Sequence, residues 1–227
     1  MISVCMATYN GERFIREQLE SILSQLPADA EIVIADDGST DDTLSVVSSL
    51  NDSRIRVLSA ENHLGVIYNF ERTLHSAKGD IIFLADQDDV WLPGKVEKVL
   101  EKLKTCDLVM HDAYMFCDGV RGRRLSEIRP YGAGVMRNWW KNGFTGCCMA
   151  FRKNVLEKAL PFPKNLPMHD QWLGLIAEKY FKVGYLPEPL IDYRQHSANA
   201  THIEKSPAGL IQKIKWRLDL LKALQSV

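Results

Sequence analysis

Basic excess is missing from this sequence: 28 lysines and arginines face 29 aspartates and glutamates, for a formal net charge of −1. Binding a phosphate backbone takes a basic face, so nucleic acid is not an expected partner. Paired cysteines are missing as well. The five present, Cys5, Cys106, Cys117, Cys147 and Cys148, are odd in number and include no CxxC pair, a usage that fits reduced, mostly buried thiols. No apolar stretch reaches the roughly 20 residues needed to cross a bilayer. The strand-like run at Met1 begins without a basic leader or cleavage site, so the expectation is a cytoplasmic protein. Internal repeats and low-complexity tracts are also absent.

What is present is an ordinary globular composition, 46% hydrophobic and 25% charged over 227 residues, which suits one large α/β domain. The first half alternates between two periods. Apolar runs at residues 2–7, 32–35, 55–58 and 80–85 predict strands. Helical faces follow each: Ile15, Leu19, Ile22, Leu23 and Leu26; then Leu44, Val47 and Leu50; then Val66, Phe70, Leu74 and Ala77; then Val96, Val99, Leu100 and Leu103. Strands alternating with helices predict βαβ crossovers and a mostly parallel central sheet flanked by helices, with ligands at the carboxyl ends of its strands.

From about Leu108 the alternation loosens. Residues 119–146 are polar and irregular. Residues 145–151 read as a strand, residues 161–167 as a Pro-punctuated loop, and a helix is expected from near His169 to Phe181. Residues 183–186 and 190–193 read as two short strands, and residues 208–225 as a final amphipathic helix. Val227 follows that helix without a stop signal, as in a trimmed chain.

The sequence turns acidic where a parallel sheet would bind ligands. Asp36-Asp37-Gly38-Ser39-Thr40-Asp41-Asp42-Thr43 ends one strand and opens a helix. A turn with a helix cap accounts for Ser39 to Asp42; a ligand contact accounts better for two carboxylates at once after a buried strand. Asp86 and Asp88 stand two apart at the end of another strand, on one side if strand geometry persists. Carboxylates that close repel unless a cation intervenes, and Mg²⁺ or Mn²⁺ with carboxylate and diphosphate oxygens suits the pattern. The bland reading is an acidic cap for the helix after Pro93, a role open to Asp89. Asp170 stands at a helix start, where the macrodipole favours an acid whatever its task. His196, alone after Tyr193-Arg194-Gln195, reads by itself as structural.

Together these segments resemble glycosyltransferase family 2, with its GT-A fold. Met6-Ala7-Thr8-Tyr9-Asn10-Gly11 is similar to the family's opening strand and loop, Ala35-Asp36-Asp37-Gly38-Ser39 to its nucleotide-base motif, and Asp86-Gln87-Asp88 to its DXD metal site. His169-Asp170 stands where the family places its catalytic base. Asn62, Gly65 and Asn69 fall in the family's intermediate pattern. Residues 145–151 and 193–196 look like a bacterial subgroup often labelled rhamnosyltransferases. The resemblance covers residues 1 to about 205, split at 107/108 into a nucleotide-sugar-binding half and an acceptor-binding half, with residues 206–227 as a C-terminal amphipathic helix.

The resemblance implies a role for each matched position. Ala7, Tyr9 and Asn69 would line the nucleotide-sugar site, and Asp37 would accept from the N3–H of uracil or thymine. Asp86 would meet the ribose and help hold the metal, and Asp88 would ligate it directly. His196 would reach the metal and Arg194 the diphosphate, while Asp170 would deprotonate the acceptor hydroxyl. The family often has Glu before that acid, where this chain has His169. The implied reaction is an inverting, Mn²⁺- or Mg²⁺-dependent transfer from a UDP- or dTDP-sugar to a glycan hydroxyl in surface polysaccharide synthesis, lipid-linked glycans being among the acceptors the resemblance allows.

Other readings stay open at this stage. Asp86-Gln87-Asp88 after an apolar strand also fits a haloacid-dehalogenase-like phosphatase, though those motifs usually sit on the first core strand. A nucleotidyltransferase would need a Gly-rich N-terminal loop that is missing here, and a non-catalytic nucleotide-sugar binder would need no base. The last helix carries Leu210, Ile211, Ile214, Leu218, Leu221 and Leu224 among Lys213, Lys215, Arg217 and Lys222. It is expected either to pack on the domain or a second subunit as a homodimer, or to dock peripherally on an anionic membrane.

Overall fold

The computed structural model describes residues 1–58, 63–117, 119–196 and 209–227. Asn62 of the sequence pattern and the 205/206 boundary lie outside the described residues, as does Ala208 at the start of the last predicted helix.

The first half follows its two periods. Strands β1 (Ile2–Thr8), β2 (Glu31–Asp36), β3 (Ile55–Leu58) and β4 (Ile81–Ala85) alternate with helices α1 (Ile15–Leu23), α2 (Thr43–Ser49) and α3 (Val66–Ser76). The strands run side by side as β3-β2-β1-β4, and all three pairings are parallel. Helices cover this sheet, so its strands are mostly apolar; Val4, Ile32, Ile34, Ile82 and Phe83 are fully buried. The register matters for function. Thr8 pairs with Asp36 and Met6 with Ala85, which brings Tyr9, Asp37 and Asp86 to one edge of the sheet.

Beyond β4 the sheet is mixed. After β5 (Val90–Trp91) and α4 (Lys95–Leu103) come β6 (Leu108–Cys117), β7 (Val120–Arg124), α5 (Leu125–Ile128) and α6 (Val135–Trp140). A 3-10 turn (Gly146–Cys148), β8 (Met149–Arg152), α7 (Lys153–Ala159), α8 (His169–Tyr180), β9 (Val183–Arg194) and α9 (Leu210–Gln225) complete the order. The sheet continues from β4 as β8-β6-β9-β5, with β7 beside β6; β6 and β9 are parallel and the other pairings antiparallel. The parallel expectation therefore describes the first four strands.

Three local expectations are corrected. The polar stretch at 119–146 contains β7, α5 and α6. The strand expected from Thr145 begins only at Met149, because residues 146–148 turn as a 3-10 helix. The two short strands at 183–193 are one, β9. Pro187 and Pro189 interrupt its hydropathy, and the ladder with β6 absorbs them as a register shift between His111 and Asp112.

The last helix packs on the domain, and only the C-terminal end of the predicted stripe takes part. Leu220 and Leu224 are buried, Trp139 Nε1 donates to the Arg217 carbonyl at 2.8 Å, and Lys179 Nζ reaches the Leu224 carbonyl at 2.5 Å. Ile211, Ile214 and Leu218 face outward at 85%, 47% and 50% exposure. Among the described residues no helix is long and apolar enough to cross a membrane.

Candidate active site

The strand ends are stitched together before any acid is free to act. Thr8 Oγ1 donates to Asp36 Oδ1 at 3.1 Å, and the Gly38 and Ser39 amides donate to Asp36 Oδ2 at 3.0 and 2.9 Å. Asp36 is thus the turn-former that the bland reading expects. Asp37 holds a different segment: its carboxylate accepts from the amides of Leu64 at 2.6 Å and Gly65 at 2.9 Å and pairs with His63 Nδ1 at 2.9 Å. Burial pushes Asp37 up, but the Leu64 amide, the Asn69 side chain and the Gly65 amide outweigh it and hold the acid below its ordinary range. Asn69 is itself buried, bonded to the Gly65 carbonyl and to Arg72.

Gln87 does for the opening loop what a backbone would. Its amide accepts from the Tyr9 N–H at 2.9 Å and donates to the Tyr9 carbonyl at 3.0 Å, clamping the loop after β1 to the loop after β4. A β-carbon on Gly11 would come 2.3 Å from Gln87 Oε1, so this clamp requires glycine there. Tyr9 leaves its ring half exposed beside His63, with centroids 4.6 Å apart.

Strand geometry does not persist through the acidic loop. β4 stops at Ala85, a turn spans Gln87 and Asp88, and β5 starts at Val90. The two-apart alternation is lost, and Asp89 rather than Asp88 comes back beside Asp86. Among the described residues, the ligand atoms of Asp86, Asp89 and Cys147 lie within 4.8 Å of one another. Asp88 Oδ2 instead meets His196 Nε2 at 2.7 Å, and the His196 ring stacks on Phe14. Asp89 is 1% exposed, accepts the Arg194 amide at 3.0 Å, and has an Oδ2 without a partner. It is no helix cap, since Gly94 caps α4.

The electrostatics of this cluster are unfavourable without a counter-charge. Burial, then the neighbouring charges of Asp88 and Asp170, push Asp86 up to about 7. Burial, then Asp88 and Asp86, push Asp89 well above the carboxylate range. Behind them Lys95 is fully buried, its Nζ 3.0 Å from the Cys147 carbonyl and 4.0 Å from the Trp91 ring centroid. Burial lowers this ammonium to about 8. The orphaned Asp89 oxygen and the crowded carboxylates fit a hard divalent cation. The Cys147 thiol does not: burial raises it well above its usual range, so it stays protonated at neutral pH.

Opposite stands the wall made by α8 and the 3-10 turn. Asp170 is the second residue of α8, not its cap; Met168 holds that position. Asp170 Oδ1 accepts from Asn142 Nδ2 at 3.1 Å and from the Gln171 amide at 2.5 Å. Ala7, Asp86, Asp88 and Asp170 line one cavity of about 160 Å³, with Thr145, Gly146, His169 and Tyr193. Asp37, Tyr9, Asn69, Arg194 and His196 do not line it. Arg194 is held by the Asp88 carbonyl at 2.6 Å, by Glu17 at 2.6 Å, and between the Phe14 and Phe116 rings.

The structure thus gathers Ala7, Asp86, Asp88 and Asp170 at one cavity and sets Asp37 and Asn69 to ordering residues 63–65. Sequence reasoning missed Asp89 as a partner of Asp86. The signal was there: three acids within four residues between two apolar runs call for a turn, and a turn breaks alternation. It also missed Lys95, which carries no motif, and gave no role to Thr145 or His169, although both stand in segments that carried the resemblance.

Comparison with known proteins agrees with this geometry. The family model described as "Glycosyl transferase family 2" matches residues 3–160. The dTDP-rhamnosyl transferase RfbG of Shigella flexneri is 27% identical over 86% of this chain and 72% of that protein. The UDP-Glc:alpha-D-GlcNAc-diphosphoundecaprenol beta-1,3-glucosyltransferase WfgD of Escherichia coli is 35% identical over 78% of this chain and 70% of its own length. Among solved structures, S. aureus TarS 1-349 in complex with UDP-GlcNAc superposes with a TM-score of 0.72 at 22% identity, over 91% of this chain. The mannosyltransferase PcManGT from Pyrobaculum calidifontis, in complex with GDP-Man and Mn2+, superposes with a TM-score of 0.67 at 20% identity, over 99% of this chain. The chain spans 61% and 64% of the lengths of those two.

Proposed function

The chain belongs to glycosyltransferase family 2, and from that premise we propose that it moves a sugar from a UDP- or dTDP-sugar to a hydroxyl of a glycan acceptor, with inversion at the anomeric carbon. The observation that carries this reading is that Asp170 lines one cavity together with Asp86 and Asp88 of the acidic loop. An alcohol is a poor nucleophile at neutral pH, so a carboxylate must take its proton as it attacks. Asp170 takes that proton, the acceptor oxygen bonds to the anomeric carbon, and the bond from that carbon to the diphosphate breaks with both electrons leaving on the diphosphate. Asn142 and the Gln171 amide fix the base for this task.

Asp86 and Asp89 would hold a divalent cation, Mn²⁺ or Mg²⁺, with Asp88 and His196 beside them; when bound, it supplies positive charge to the leaving diphosphate. Asp37 would accept from the base N3–H beside the bonds it makes to residues 63–65, with Tyr9 and Asn69 shaping that side and Arg194 near the diphosphate. The RfbG and WfgD names give one dTDP and one UDP donor, which supports both for this chain. The same names support a deoxyhexose or hexose as the sugar and a lipid-linked acceptor in surface polysaccharide synthesis. Residues 1–107 would serve the donor and 108–205 the acceptor.

Release of nucleoside diphosphate, with a product whose anomeric configuration is read by NMR, tests this reading. Release of inorganic phosphate in its place would restore the phosphatase. The outward Ile211, Ile214 and Leu218, beside exposed Met136 and Trp140 and with Lys213, Lys215 and Lys222 on the same helix, favour peripheral docking on an anionic membrane over a homodimer. Replacing these three residues by serine should abolish flotation with phosphatidylglycerol vesicles while leaving the buried Leu220 and Leu224 in place. Unchanged flotation would remove the membrane role.

A further inference from the structure

Two buried polar side chains on the far wall have no task in the mechanism above. His169 is 3% exposed, and neither of its ring nitrogens has a hydrogen-bond partner; Thr145 is 7% exposed, with an unpartnered Oγ1. Folded proteins pair nearly all such groups, so unpaired ones at a cavity wall mark the place of a ligand's polar atoms. Both line the cavity beside Asp170.

The ring is held for this role. It stacks on the buried Phe70 with centroids 4.0 Å apart and planes 21° from parallel. A β-carbon on Gly146 would lie 3.1 Å from His169 Nε2, so glycine is what keeps a side chain from crowding that nitrogen. Burial lowers the imidazole to about 4, so at neutral pH the ring is uncharged and presents one N–H donor and one lone pair. The Thr145 hydroxyl also donates and accepts. Neutral groups that do both match sugar hydroxyls, which do the same. They match a diphosphate poorly, since it only accepts and seeks positive charge.

We infer that His169 and Thr145 form a hydroxyl-recognition subsite for the acceptor sugar, gripping a hydroxyl next to the one that Asp170 deprotonates. The inference rests on the transferase reading and on Asp170 as its base. In the complex His169 and Thr145 each gain the partner they lack. A hydroxyl held there sets the attacking oxygen against Asp170, and an acceptor without it binds loosely.

The test uses His169→Phe, which keeps the ring on Phe70 and removes both nitrogens. Methyl glycosides of glucose, galactose, mannose, rhamnose and N-acetylglucosamine serve as acceptors, and the readout is acceptor-stimulated release of nucleoside diphosphate. With the best glycoside, the variant should raise the acceptor KM about three- to tenfold, the range of one neutral hydrogen bond, and leave the donor KM unchanged. Deoxygenation of that glycoside at one position besides the attacked hydroxyl should weaken it for the wild type and make no further difference to His169→Phe. The melting temperature should hold or rise, since unpaired buried nitrogens leave the core. Gly146→Ala, which covers Nε2 without changing the ring, should raise the acceptor KM as well and serves if His169→Phe does not fold. An unchanged acceptor KM in both variants overturns the subsite, and a rise confined to the donor KM assigns it to the donor sugar instead. If the wild type binds UDP or dTDP by calorimetry but no glycoside stimulates it, the subsite alone fails; if it binds neither nucleotide, the transferase reading falls too.

Discussion

Two neighbouring regions of the molecule treat their polar groups in opposite ways. In the region built by β1 and β2, the acids are saturated: Asp36 takes two backbone amides and two hydroxyls, and Asp37 takes two amides. Asp41 is similar, its burial outweighed by bonds from Thr43 and from the Glu12 amide, which hold it below the ordinary range. Around the cavity enclosed by the β4–β5 loop, the 3-10 turn and α8, acids crowd one another, and buried atoms of Asp89, Thr145 and His169 stay unpaired. Saturated acids shape loops and cost the fold nothing. Unsaturated ones lower stability until something binds, and that is where a ligand gains most.

The comparison breaks first at the acidic loop. Asp89→Asn should abolish transfer and remove most of the Mn²⁺ enhancement of UDP or dTDP binding in calorimetry. In EDTA at pH 8 the same variant should melt higher than the wild type, because burial and the neighbouring acids raise Asp89 above its unfolded value, which costs stability at every pH above 3.8 and does not affect asparagine. Asp88→Asn should also lose metal-enhanced binding, by separating the loop from His196 if not by direct ligation. Equal nucleotide affinity of the wild type in EDTA and in Mn²⁺, with full activity in EDTA, would sink the metal assignment.

Next in size is the base. Asp170→Asn keeps the shape and the contact with Asn142 but takes no proton. Turnover should fall about 10²–10⁴-fold, the usual cost of a lost general base, while donor affinity stays near wild type. A residue that served only the first turn of α8 would cost about 1 kcal/mol of stability or less and leave turnover per folded molecule intact.

The same contrast explains how much could be read in advance. Saturated geometry is local: Asp36-Asp37-Gly38-Ser39 names a turn through its own residues, and the four parallel strands announce themselves by apolar runs. The other region is assembled from distant segments. Cys147 meets Asp86 and Asp89 across some 60 positions of chain, and nothing near Lys95 says that it will lie buried behind them. The Asp86–Asp88 pair was legible as chemistry but not as geometry, because two-apart spacing predicts a shared face only while a strand lasts. The two prolines in β9 hid one long strand as two short ones for a similar reason: the pairing that tolerates them is with β6, far off in sequence.

The smallest expected effect lies in the saturated region, and it sharpens the contrast from the other side. Asp37→Asn retains one carbonyl oxygen for the amides of Leu64 and Gly65 but loses the charge that strengthens both bonds. Hydrogen bonds to a charged group contribute roughly 1.5–3 kcal/mol against about 1 for neutral ones, so a loss of about 1–2 kcal/mol is expected at pH 7. Its pH dependence has a definite sign. The folded acid titrates below its unfolded value of 3.8, so its contribution is fully present above that pH and is lost as pH falls through the lower folded value. The wild type and Asp37→Asn should therefore differ at pH 7 in urea unfolding and converge as the solution is acidified below 3.8. At pH 8, Asp89→Asn should move stability the opposite way in the absence of metal. If Asp37→Asn were as stable as the wild type at pH 7, Asp37 would belong with the unsaturated acids, and its first duty would be to a ligand rather than to the loop at residues 63–65.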